Sequence, residues 1–283
     1  MPSLYALSDL HLGHPVNREA VEALPPHPDD WLVLAGDLGE KEAHLRWAFE
    51  RLAPRWGRLI WVPGNHELWT PPSEPDGLRG LARYLAFVEV ARSYGVLTPE
   101  DPYVRWPDDP GLTVCPLFLL YDYSFAPDGL DPAAAVAWAR EDGILARDED
   151  LLHPDPFPSR QAWCAHRLQT TLARLEAVEG RTVLVNHWPL RRDLVRIWKV
   201  PRYIPWCGTR VTEDWHRRFR AEVVVSGHLH MPATDWRDGV RFEEVSLGYP
   251  RQRSTPDASL RRILPGPPRP EDPNAGPIWH WRR

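Results

Sequence analysis

Five short motifs in the 283-residue chain carry side chains able to hold cations: Asp9-x-His11, Gly36-Asp37, Gly64-Asn65-His66-Glu67, Asn186-His187 and Gly227-His228-x-His230. Two carboxylates, one amide oxygen and several imidazoles form a nitrogen and oxygen donor set suited to Mn, Zn, Fe or Ni. Asp9 and His11, like His228 and His230, stand two residues apart. A backbone that stays extended past a strand end would aim both members of such a pair the same way. Glycines at 36, 64 and 227 permit sharp turns and close approach to the donors.

Such distant residues meet only if the elements before them end at one place. Each motif closes a short apolar run: Leu4 to Ser8, Trp31 to Gly36, Leu59 to Gly64, Arg181 to Asn186 and Ala221 to Gly227. Helix-like stretches lie between them at Glu40 to Leu52, Leu78 to Tyr94, Arg160 to Val178 and Thr212 to Phe219. Near-continuous apolar strands alternating with helices predict a mostly parallel sheet covered on both faces. Ligands bind beyond the carboxyl ends of such strands, so five ends bearing Asp, Asn and His predict one shared site.

The ordered set DxH, GD, GNH(E/D), H and GHxH resembles that of the calcineurin-like metallophosphoesterase family over about residues 3–248. The resemblance implies an α/β fold, a four-layer α/β/β/α sandwich of two mixed β-sheets flanked by helices, with a two-metal centre at the strand ends. Carried over by motif, Asp9, His11 and His230 bind one metal and Asp37 bridges; Asn65, His187 and His228 join Asp37 on the other. His66 would contact the substrate phosphate and protonate the leaving oxygen, a form of catalysis typically worth about 10²–10⁴ in rate. The implied cofactors are two divalent ions, Mn, Zn, Fe or Ni. The implied activity is hydrolysis of a phosphate monoester or diester, on a phosphorylated small molecule, by attack of a water that the cations activate.

Two other readings compete. A metal-dependent nuclease is disfavoured because the chain carries a net charge of −5 and has no long basic track for nucleic acid. A catalytically silent metal-binding scaffold would show lost ligands, and every motif position is filled.

Residues 1–249 read as the catalytic domain, with a cap or insertion at about 99–159, and residues 250–283 as a Pro/Arg-rich tail. Residues 1–160 hold 13 basic and 26 acidic side chains, against 21 and 13 in the remainder. Ten basic groups fall within 181–220, so Arg191 and Arg192, with Trp188 beside His187, are candidate substrate contacts. Glu67 is a candidate for steadying the metal loop. The three separated cysteines predict buried thiols. No apolar stretch approaches the roughly 20 residues of a membrane helix and the amino terminus lacks signal-peptide features, so the cytoplasm is the expected location.

Overall fold

Alternation of side chains along the strands builds the fold. The computed structural model describes residues 1–74, 76–252 and 260–280. In β1 (Leu4–Leu7), β2 (His27–Leu34) and β3 (Trp56–Trp61), residues Leu4, Ala6, Trp31, Val33 and Ile60 face one way, whereas Leu7, Leu32, Leu34, Leu59 and Trp61 face the other. The first set packs against Val114, Val183, Val185, Val223 and Val225 of a second sheet. The outward set is covered by α2 (Glu42–Leu52) and α4 (Gly80–Ser93) through Leu45, Phe49, Tyr84 and Phe87. Two shorter helices, α1 (Pro15–Glu22) and α3 (Asn65–Leu68), follow β1 and β3.

The second sheet contains β4 (Val104–Trp106), β5 (Asp109–Pro116), β6 (Arg181–Val185), β7 (Ala221–Ser226), β8 (Ala233–Arg237) and β9 (Val240–Glu244). Helices α5 (Pro132–Glu141), α6 (Asp148–Leu151), α7 (Arg160–Glu176) and α8 (Trp215–Arg218) lie between its strands in sequence. Leu184 and Val224 point outward to Leu175 on α7, Trp215 on α8 and Phe219 just after it, which completes the expected four layers. Strands β1, β2 and β3 are mutually parallel, as are β5, β6, β7 and β9. Their carboxyl ends lie together, joined across the sandwich by a parallel bridge between Ser8 and Ser246.

Two segments differ from expectation. The insertion expected from residue 99 contributes β4 and β5, with β5 parallel to β6. Prolines at 110 and 116 bracket its short apolar run, which masks a strand that gains its stability from the neighbour. The C-terminal segment adds an edge strand to each sheet: β10 (Arg261–Leu264) runs antiparallel to β1, and β11 (Ile278–Trp279) antiparallel to β8. β10 reads as a tail because Arg261 and Arg262 open it, yet Ile263 and Leu264 are buried between the sheets. Residues 253–259 and 281–283 of the expected tail lie outside the described residues.

Candidate metal centre

Sharp turns at the strand ends, not continued strands, aim the donors. Asp9, His11, Asp37, His228 and His230 all adopt left-handed backbone conformations, with φ of 54°, 41°, 56°, 71° and 53°. This corrects the expectation that an extended backbone aims the DxH and HxH pairs. Each such residue costs about 1–3 kcal/mol unless its surroundings impose the conformation. The backbone fixes it here: Asp9 N–H donates to Gly36 O, His11 N–H to Asp37 O, and Gly248 N–H to Asp9 O. A Cβ at Gly64 would collide with the Asp37 carboxylate, and one at Gly227 with that of Asp9.

The seven expected ligands converge. His230 Nε2 lies 2.9 Å from Asp9 Oδ1 and 3.1 Å from His11 Nε2. His187 Nε2 lies 3.3 Å from Asn65 Oδ1 and 3.5 Å from Asp37 Oδ1. Donors about 2.1 Å from one cation and about 90–110° apart stand about 3.0–3.4 Å from each other, so these spacings suit shared cations. Three overlapping donor groups, Asp9/His11/His230, His11/Asp37/His66 and Asp9/Asp37/His187, each fall within 4.8 Å. His228 stands beside His187, with ring centroids 5.1 Å apart, and its buried Nε2 has no hydrogen-bond partner. An orphaned imidazole nitrogen there fits a metal ligand.

Electrostatics favour the same occupant. Burial raises the Asp9 carboxyl, but the imidazoles of His230, His187 and His11 outweigh it and hold Asp9 well below the usual carboxylate range. Burial, then the charges of Asp9 and Glu67, pushes Asp37 well above that range. Two buried carboxylates so close repel each other, and cations between the donors remove that penalty. Burial lowers His187 to about 4 and drives His228 well below its ordinary value, so both are neutral and ready to ligate. His187 Nδ1 donates to Ala35 O at 2.9 Å, which turns Nε2 into the site.

Around the donors lie residues whose part was only partly legible. Glu67 accepts from the N–H groups of Asp37 (3.0 Å), Leu38 (2.6 Å) and Gly64 (2.7 Å), tying two metal loops together. Asp148, fully buried on α6, accepts from Asn65 Nδ2 at 3.0 Å and Trp69 Nε1 at 2.7 Å. That bond leaves Asn65 Oδ1 turned toward His187. His66 donates from Nδ1 to Glu40 Oε1 at 3.0 Å and lies against Trp69, ring centroids 3.8 Å apart. The hydrogen bond from His66 holds the Glu40 carboxyl down at about 2. Tyr249 stacks on His11 at 4.2 Å and 20°. Nothing in the spacing marks Asp148 or Tyr249; Glu40, three residues past Asp37, carried only a weak signal.

The candidate substrate contacts all have partners within the chain. Arg191 Nε binds Asp193 Oδ1 at 2.8 Å, and Arg192 Nε binds Phe125 O at 2.7 Å. Trp188 is fully buried, 5.0 Å from the His187 ring and 5.8 Å from that of His228, so it backs the ligands instead of facing a substrate. Among the described residues no helix is long and apolar enough to cross a membrane.

Comparison with known proteins agrees with this geometry. An acyl-carrier-protein phosphodiesterase of Mycobacterium tuberculosis, PptH, is 49% identical over 273 residues, spanning 94% of this chain and 84% of that protein. The crystal structure of a phosphopantetheinyl hydrolase, PptH, from the same organism superposes with a TM-score of 0.89 at 49% identity, covering 94% of this chain and 97% of that one. The calcineurin-like phosphoesterase family model matches residues 2–232. The chain therefore belongs to the calcineurin-like phosphoesterase family, and it is a phosphoesterase that uses divalent metal.

Proposed function

We propose that this enzyme hydrolyses the phosphodiester joining a phosphopantetheinyl group to an acyl carrier protein, releasing phosphopantetheine and the unmodified carrier. The observation that carries this reading is 49% identity sustained over 94% of the chain with a relative named for that substrate. A protein substrate thus replaces the small phosphorylated molecule that the motifs suggested.

In this reading Asp9, His11, His230 and Asp37 would hold one cation, and Asp37, Asn65, His187 and His228 a second; the donors suit first-row divalent ions. Bound there, the pair supplies an activated water and charge stabilisation at phosphorus. The chain does the rest. Glu67 and the left-handed turns keep the donors in place. Glu40 fixes the His66 ring by its Nδ1 and leaves Nε2 facing the site. His66 then delivers a proton to the carrier oxygen as the phosphorus–oxygen bond breaks.

The test is incubation of metal-loaded protein with phosphopantetheinylated carrier, followed by intact-mass measurement. Conversion to the unmodified carrier, abolished in Asp37→Ala and slowed about 10²-fold or more in metal-replete His66→Gln, is expected. An unchanged carrier alongside turnover of a chromogenic phosphodiester would reject the carrier as substrate.

A further inference from the structure

Tyr249 comes from the loop after β9, in the stretch where the domain was expected to give way to a tail, yet it reaches the centre of the site. Its ring lies flat on His11, 5.0 Å from the His230 ring, and its hydroxyl is 3.4 Å from His66 Nε2. The loop is latched to a ligand. Gln252 Oε1 accepts both from Tyr249 N–H and from His230 Nδ1, each at 2.8 Å. Gly248, at φ 79°, makes the turn that brings the ring over His11. Tyr249 is thus held by its backbone, its ring face and its hydroxyl, and each of the three contacts leads to a donor or to His66.

We propose that Tyr249 is a substrate-contacting residue whose hydroxyl donates a hydrogen bond to the leaving oxygen, beside the His66 imidazole. The argument is geometric. An oxygen about 2.8 Å from both His66 Nε2 and the Tyr249 hydroxyl closes a triangle on the 3.4 Å base, with about 75° between the two donors, so one oxygen can accept from both. The tyrosine keeps its proton throughout. His66 alone transfers one, and the hydroxyl stabilises charge as it builds on that oxygen. In the free enzyme the hydroxyl bonds Nε2 itself, in the place the leaving oxygen takes. Stacking on His11 makes the arrangement rigid, because ring and imidazole cannot turn independently.

This inference rests on the phosphodiesterase reading, but not on the identity of the carrier. Its test is Tyr249→Phe, which keeps the stacked ring and removes the hydroxyl, on a series of aryl methyl phosphates whose phenols differ in acidity. Metal content per chain should stay at the wild-type level. The rate on the poorest leaving group should fall about tenfold, the effect of one lost hydrogen bond, and the fall should shrink toward twofold or less for p-nitrophenol. An equal fall across the series, no fall at all, or a loss of bound metal would each overturn the proposal. Failure of wild-type protein on the carrier, with the aryl series still turned over, would remove the carrier reading and leave the tyrosine assignment standing.

Discussion

Glu67 offers a sharp test of how the metal loops are held. Its carboxylate is fully buried and accepts three backbone N–H bonds, from Asp37 and Gly64 at Oε2 and from Leu38 at Oε1. Replacement by Gln keeps the shape but puts an NH₂ group opposite one of those donors. With the amide oxygen in the Oε2 position, the Leu38 N–H loses its acceptor at 2.6 Å and meets another donor. An unsatisfied buried N–H costs about 1–3 kcal/mol, and the two surviving bonds fall from charge-assisted to neutral strength. Together these give a loss of about 2–4 kcal/mol. For a chain of this size about 2–4 °C of Tm accompanies each kcal/mol, so metal-free Glu67→Gln should melt roughly 4–16 °C below wild type. Glu67→Ala, which strands all three N–H groups, should lie lower still. Urea titration of the metal-free proteins separates this effect from metal loss. A Glu67→Gln protein within about 0.5 kcal/mol of wild type would refute the view that this carboxylate clamps the loops.

Further outcomes follow from the same geometry. Asp148→Leu should weaken metal binding about 10–100-fold by freeing the Asn65 amide to rotate, whereas Asp148→Asn, which keeps an acceptor for Asn65 Nδ2 and Trp69 Nε1, should restore most of it; calorimetric metal titration reads the difference. Burial lowers His280 to about 4, so the neutral form favours the folded strand. Stability from that group is present above its ordinary value of 6.5 and is lost as pH falls from there toward 4, so the amide-exchange protection at Trp279 and His280, referred to the intrinsic exchange rate at each pH, should fall across that window before that of the remainder of the sheet. Removing residues 253–283 deletes β10 with its buried Ile263 and Leu264, a loss of about 3–6 kcal/mol of burial. That truncated chain should melt well below wild type, and unchanged melting would show that β10 does not support β1.

The parts of the protein written locally were legible in its sequence. Apolar runs ending in Asp9, Asp37, Asn65, His187 and His228 marked parallel strands with their donors at one end, because strand character and side-chain type are short-range properties. The two-sheet sandwich and the seven converging donors followed from that order through the resemblance it carried. Tertiary structure decided the remainder. Asn65 is oriented by Asp148, 83 residues away, and His66 meets Tyr249 across 183 residues. No spacing rule spans such distances. Local spacing also says nothing of the partners that hold the arginines after His187: in the fold Arg191 binds Asp193 and Arg192 binds the Phe125 carbonyl. Strand β10 opens with two arginines and becomes a strand only because β1 offers an edge and the space between the sheets takes its Ile263 and Leu264. Composition names the groups that can do chemistry; which way each one points depends on backbone turns and partners that exist only once the sheets have closed.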